Sequence, residues 1–525
     1  MYKRQIASSQ VTNEGKPISF GEDFNVVLKK SVSEIQMPRF DLEKIKAEDA
    51  VNDNIQGKPY RFGYEFKVDI DVKKQGTLDV LPNGDHLYRL KITSKEAKSL
   101  NFVFSTYKVP TGATIYLYSD DRTDLLGAYT NVFNRPDEML GTWMVAGESV
   151  WIEYLEPKDV IGQGELNLGR VIHGYRSITD AEVREKALNN SGDCNNDVDC
   201  PVGDDFDPLK DMLKKSVGFI IFNGFVCSGT LINNTSNDRA PYFLTANHCN
   251  ATPFSTWAFR FNWISPNPSC ATTASSSNTT VNQTTSGATL LASNSKSDFR
   301  LLRLDGGLDE SWDLEWAGWD RSGTVPSFVV GIHHPSGDIM KVCRENISPT
   351  IANNVAIVDI PDPIDTWRVA DWDIGVTEGG SSGSPLFDPL GRIIGKLSGG
   401  AASCIGTNDN NRQDFYGRFD VSWDFGTTNA TRLSNWLDPT NTGRTTLNSL
   451  SQEMVLSVEE NELNENIAVY PNPSNGILTI SNNSENRLAY DLFDITGQQV
   501  GKGEVIDQNT ILDICLLYTS PSPRD

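Results

Sequence analysis

Three short stretches carry residue types that together perform acyl transfer. The first is Gly379-Gly380-Ser381-Ser382-Gly383-Ser384-Pro385-Leu386. Glycines on both sides of a serine pair let the backbone turn sharply and approach other groups closely. A serine on such a turn presents its Oγ beside backbone N–H groups, as a nucleophile with an oxyanion pocket requires. The second stretch is Leu244-Thr245-Ala246-Asn247-His248-Cys249, whose His248 is a candidate general base. Only five histidines occur, and the pair His333-His334 offers no Asp, Glu or Cys at metal-ligand spacing. That pair reads as structural, with substrate contact as the alternative. The third stretch is Ser297-Asp298-Phe299-Arg300-Leu301-Leu302-Arg303-Leu304. Asp298 is preferred over Asp305 and Asp309 as the carboxylate that orients the histidine, because an apolar strand follows it at once and would hold it in place.

The order His, Asp, Ser, with Thr-Ala-x-His-Cys, Gly-Ser-Ser-Gly-Ser-Pro and Asp414-Phe415-Tyr416-Gly417-Arg418, resembles chymotrypsin-fold serine endopeptidases and, within them, lysyl endopeptidases. The resemblance covers about half of the chain. It implies an all-β protease domain of two packed barrels, with His248, Asp298 and Ser382 as the triad and no cofactor or metal. It assigns the oxyanion hole to the N–H groups of Gly380 and Ser382, and substrate-backbone pairing to Ser398, Gly399 and Gly400. It further implies the disulfides Cys227–Cys249, Cys200–Cys270 and Cys194–Cys404, leaving Cys343 without a partner. Two departures stand out. Ser381 occupies the place where trypsin-like zymogens carry an aspartate that pairs with a freed terminal amine. Ser398 occupies the place where the best-matching lysyl endopeptidases carry a histidine, and a serine there is expected to hydrogen-bond Asp298.

The resemblance also assigns Asp414 to the primary specificity pocket, with Asp409 as a nearby rival. A cation entering a narrow, desolvated pocket needs a carboxylate, because an unpaired buried charge is costly. Residues 1–186 hold 16 lysines and 9 arginines, whereas residues 187–447 hold 6 and 12. A lysine-cutting enzyme survives better with few lysines in the part that persists. Cleavage after lysine is therefore expected, with trypsin-like cleavage after arginine and lysine as the alternative. A non-catalytic secreted adhesion protein is the alternative from another class.

The elements that must position these residues follow from the remaining sequence. At 525 residues the chain exceeds one core. Alternation at Phe66–Val72, Tyr88–Ile92 and Val150–Tyr154, with turns at Pro82–Asp85 and Pro110–Gly112, reads as a β-sandwich-like region over 1–188. By the resemblance it is a pro-region, cut near Glu185-Lys186-Ala187. The protease domain is expected over 189–447, closed by a helix near Trp436-Leu437, and a polar, acidic linker over 448–464. Over 465–514, Tyr470-Pro471-Asn472-Pro473-Ser474-Asn475-Gly476 resembles the sorting domain of type IX secretion, an Ig-like fold here cut short. Polypeptide substrates and the type IX machinery are the implied partners, and the expected location is secreted or cell-surface, in a bacterium. A net charge of −23 opposes nucleic acid as a partner. No apolar run is long enough to span a membrane, since Val217–Ile232 is broken by Asn223, Gly224 and Ser228. Met1–Gln5 and residues 515–525 resemble translated sequencing adapters and are excluded from fold reasoning, so a missing signal peptide says nothing about location.

Overall fold

The computed structural model describes residues 15–21, 28–53, 55, 57–176, 191–277, 279 and 283–452, and further on 467–470, 477–482, 488–493, 499–505 and 509–513. The adapter-like ends, the expected cut at Lys186–Ala187, residues 453–464 of the linker and the Pro471–Gly476 motif lie outside the described residues. Residues 1–453 form one compact unit and residues 454–525 a second.

Over residues 33–174, two antiparallel-rich sheets face each other. One runs through strands 33–36, 86–93, 149–156, 114–119 and 125–129, and the other through 145–146, 99–108, 165–174 and 63–71. Every strand with period-2 alternation in the sequence is a strand here, because alternate side chains enter the shared core: Phe66, Leu90, Phe102, Phe104, Leu117, Ile152 and Val171 all pack in it. The same core continues into Phe219, Ile221, Val226 and Trp263 of the following region. The sandwich thus grows from the face of the next layer, and Phe62 and Gly63 N–H groups both donate to Gly224 O.

Residues 217–304 close a first barrel. Strands 217–222, 225–231, 242–246, 299–304, the bent pair 288–294 and 283–286, and 258–261 pair in that ring order. Gly287, at φ +82°, turns the corner between the two halves of the bent strand. A second barrel follows the order 341–345, 329–333, 385–387, 393–400, 414–418 and 364–369, and the Arg344–Ile374 bridge joins its ends. Closing both sheets pairs most strand edges within the barrels. The fold is all-β with two chymotrypsin-like barrels. Helices are short: Phe419–Asp424 and Ser434–Leu437 lie against the second barrel, with Leu437 buried.

The chain stays on this body past residue 447, since Leu450–Ser451 pair with Trp316–Glu315. In the second unit, strands 467–470, 477–482 and 509–513 form one sheet and 488–493 and 499–505 another, around Ile480, Val505 and Leu512. No helix among the described residues is long and apolar enough to cross a membrane.

Candidate active site

The junction of the two barrels brings together His248, Asp298 and the Ser382 turn. His248 lies just beyond strand 242–246, and Asp298 lies just before strand 299–304, its antiparallel neighbour. Pairing of those strands makes the two residues meet. The Asn247 N–H donates to Asp298 O at 2.8 Å, the His248 N–H to Asp298 Oδ1 at 2.9 Å, and His248 Nδ1 lies 2.7 Å from Oδ2. Asp298 sits at φ +54°, a left-handed conformation that aspartate tolerates and that this bonding holds in place. With one ring nitrogen fixed on the carboxylate, His248 Nε2 is buried and without a hydrogen-bond partner.

The serine turn closes against the same place. Gly383 is required by packing: a Cβ there would stand 2.2 Å from Thr245 Oγ1 and 2.5 Å from Ser228 O. The absence of that atom lets Ser382 come against the strand that leads to His248. Ser382 O accepts the Ser228 N–H at 2.9 Å, and Gly383 N–H donates to Leu397 O at 2.8 Å. The N–H groups of Gly380 and Ser382 have no protein acceptor among the described residues, whereas that of Ser381 donates to Glu378 O. Two donors without an acceptor beside a serine hydroxyl are what an anion-binding concavity requires. The disulfide Cys227–Cys249 ties the strand below the serine to the residue after the histidine, and Cys194–Cys404 and Cys200–Cys270 tie the arm at 194–200 to the barrels. Cys343 is a buried free thiol.

A cavity of about 560 Å³ opens at Ser382, walled by Thr377, Glu378, Gly379, Leu397, Gly399 and Gly400. Asp414 lies behind that wall. Trp372 Nε1 and Thr377 Oγ1 each donate to its Oδ2 at 2.7 Å, the Ala402 N–H also favours the ionised carboxylate, and Oδ1 is buried with no well-formed hydrogen bond among the described residues. Burial outweighs these donors and pushes the Asp414 carboxyl up to about 6. The rival Asp409 instead caps a surface turn, accepting the Asn411 N–H. Asp305 and Asp309 are likewise spent locally, on Thr289 and on the Ser311 N–H.

One expectation fails. The Ser398 hydroxyl is buried without a partner among the described residues and does not bond Asp298. Both Asp298 oxygens serve His248 instead, Oδ1 through its backbone N–H and Oδ2 through Nδ1. His333 and His334 are both fully buried; neither contacts the cavity. Sequence reasoning missed Trp372 and Thr377, because strand alternation gives no signal for a side chain that reaches across to another strand. It also missed residues 57–61. Tyr60–Arg61 pair antiparallel with Phe225–Val226, Gly57 lies against Gly399 (a Cβ there would stand 2.8 Å from Gly57 N), and Tyr60 covers Gly379. The chain therefore crosses the cavity mouth at Lys58–Pro59, from one barrel edge to the other. Lys58 does not enter the cavity floor: its ammonium donates to Asn52 Oδ1 and lies 3.7 Å from Asp359. Asp49, buried and paired with Arg61 and Arg176, anchors the segment, and Arg176 stacks on the Tyr60 ring.

Residues 188–417 match the family model for the lysyl endopeptidase C-terminal domain, and residues 468–517 match that for the secretion system C-terminal sorting domain, a signature of secreted or cell-surface bacterial proteins. The chain is 26% identical over 386 residues to a lysyl endopeptidase of Pseudomonas aeruginosa, covering 69% of this chain and 79% of that protein. Among solved structures it is similar to the Rv3671c protease from M. tuberculosis in its active form (14% identity, TM-score 0.27, 43% of this chain and 88% of that one). It is also similar to the HtrA-type protease AlgW with tripeptide (16% identity, TM-score 0.27, 40% of this chain and 58% of that one).

Proposed function

We propose that this secreted serine endopeptidase, a relative of the lysyl endopeptidases, cuts polypeptides on the carboxyl side of lysine through Ser382, His248 and Asp298. His248 Nε2 takes the Ser382 proton as Oγ attacks the scissile carbonyl. The N–H groups of Gly380 and Ser382 hold the developing oxyanion, and His248 returns the proton to the leaving amine. Water then enters from the vacated side and hydrolyses the acyl-enzyme by the same proton route. Asp298 keeps the imidazole in the required tautomer and stabilises its protonated form.

The observation that carries lysine specificity is the state of Asp414. Oδ2 is taken by Trp372 and Thr377, so one oxygen, Oδ1, is left for the substrate. An ammonium is satisfied by a single-point acceptor, whereas a guanidinium gains most from both oxygens side by side. The edge Ser398–Gly400 would pair with the substrate backbone ahead of the cleaved bond.

Residues 1–188 act as a pro-region, the catalytic domain spans 189–447, and residues 465–514 serve type IX secretion. The segment at 57–61 supports this reading, because it lies where substrate must lie. Removal at Lys186–Ala187 would then release the groove.

The test is a pair of peptides differing only in lysine or arginine at the cleaved position, assayed with wild type, Ser382→Ala and Asp414→Ala. Lysine should win by a large factor in kcat/KM, Asp414→Ala should erase most of that preference, and Ser382→Ala should lower kcat by several orders of magnitude with the fold retained. Equal cleavage of both peptides would leave a trypsin-like enzyme, and an active Ser382→Ala protein would end the triad assignment.

A further inference from the structure

His333 and Ser381 lie outside the groove, yet they meet behind the turn that carries Ser382. His333 ends strand 329–333, is fully buried, and has Nδ1 2.7 Å from Ser381 Oγ. The Glu378 N–H donates to that same oxygen at 3.2 Å, so the hydroxyl links the imidazole to the backbone of the turn. The other ring nitrogen, Nε2, is buried with no partner, so the hydrogen bond to Ser381 is the one polar tie of this side chain among the described residues. Burial pushes His333 down to about 3, and the ring is neutral throughout the working range.

The residues after His333 pin the rest of the turn. The Ser336 N–H donates to Gly379 O at 2.5 Å, and its hydroxyl to Glu378 Oε2 at 2.8 Å. The His334 N–H donates to Ser228 Oγ, whose hydroxyl donates to Gly380 O at 3.0 Å. Glu378 Oε1 accepts Gly192 N–H and Asn195 Nδ2, on the arm held by Cys194–Cys404. The carbonyls on this turn are thus turned outward to fixed donors. The Gly380 and Ser382 N–H groups are left without an acceptor among the described residues.

We propose that His333 is a positioning residue for acyl transfer: through Ser381 it holds the 378–382 turn so that the Gly380 and Ser382 N–H groups converge, with no charge pair and no free terminus involved. This rests on Ser382 being the nucleophile. It also means that the turn is assembled while residues 57–61 still cover it.

The test uses processed enzyme carrying Ser381→Ala, Ser381→Thr, His333→Ala, His333→Gln and the double alanine variant. Steady-state hydrolysis of a lysyl peptide, the rate and position of labelling by a small phosphonylating reagent, and thermal melting are measured. Removing one side of the tie should lower kcat about 100-fold, as expected when an oxyanion donor is misplaced, with KM within about threefold. The double variant should be no slower than the slower single variant, and Ser381→Thr, which keeps the hydroxyl, should recover most of the rate. The pH profile should keep its wild-type shape, since His333 does not titrate there. Full kcat in Ser381→Ala, a pure KM effect, or additive losses in the double variant would overturn the proposal. Should His333→Ala fail to fold, the Ser381→Ala and Ser381→Thr pair decides alone, as it changes one oxygen. Slow labelling that stays on Ser382 separates this proposal from its premise. Loss of all Ser382 labelling in Ser381→Ala would instead overturn the nucleophile assignment.

Discussion

Asp414 lies directly beneath Gly400: a Cβ built on the glycine would stand 1.8 Å from Oδ1. The bare backbone of Gly400 is therefore what separates the buried carboxylate from the groove, and it joins the edge that would pair with substrate to the charge that would select it. Replacing Gly400 by Ala should collide with Asp414 and raise KM for lysyl peptides by at least about tenfold, the scale of a lost charge-assisted hydrogen bond. An unchanged KM in that variant would put the recognition charge elsewhere.

Asp414 predicts a specific pH dependence. Its folded-state carboxyl is raised to about 6. In the free enzyme it is protonated below that value, and neutral Asp414 stabilises the fold at low pH, an advantage lost as pH rises from the unfolded value through about 6. On the proposed reading lysine binds the ionised form, so binding below pH 6 must first release a proton. KM for lysyl peptides should rise by about tenfold per pH unit below 6. Asp414→Asn should flatten that limb while leaving the dependence of kcat intact, as steady-state kinetics from pH 4 to 8 would show.

Thr377→Val removes one of the two donors to Oδ2. The freed oxygen should admit a two-point contact and narrow the lysine-over-arginine ratio, and loss of the donor should push the Asp414 carboxyl higher still, moving the acid limb of KM upward. Matched lysyl and arginyl peptides read both effects at once. A wider ratio would show that pocket width, rather than oxygen availability, governs the choice.

The segment at 57–61 predicts silence in the uncut chain. Full-length protein with Lys186→Gln, which blocks the expected cut, should neither hydrolyse peptides nor take up a phosphonylating reagent at Ser382. Replacing Gly57–Arg61 in that background by an equally long glycine-serine stretch should restore labelling without any cleavage at 186. If the replaced chain stays silent, occlusion by these residues is not the brake.

Deleting the Cys194–Cys404 bridge by paired alanine substitutions should lower stability by about 3–5 kcal/mol on the chain-entropy account, given a span of 210 residues. It should also slow turnover, because the arm it holds supplies the Gly192 and Asn195 donors to Glu378. Differential scanning calorimetry and kcat on the same samples measure the two losses. A destabilised enzyme with full kcat would show that the arm serves stability alone.

The linear sequence determined what local chemistry can encode. Alternation and turn residues announced the strands at 63–71, 86–93 and 149–156, since a half-buried strand must alternate. The glycines around Ser382 and the apolar strand after Asp298 are equally local signals. The tertiary structure decided everything that depends on which strands become neighbours. Strand pairing sets the His248 Nδ1 to Asp298 Oδ2 distance of 2.7 Å and leaves the Ser398 hydroxyl idle. Trp372 and Thr377 lie in the connection after strand 364–369 and Asp414 opens strand 414–418, and only the pairing of those two strands lets both donors consume one carboxylate oxygen. The crossing of the groove by Lys58–Pro59 is more remote again, a contact between residues far apart in the chain. Its registration depends on one sheet edge accepting another strand, and backbone hydrogen bonds of that kind leave no side-chain signature to read in advance.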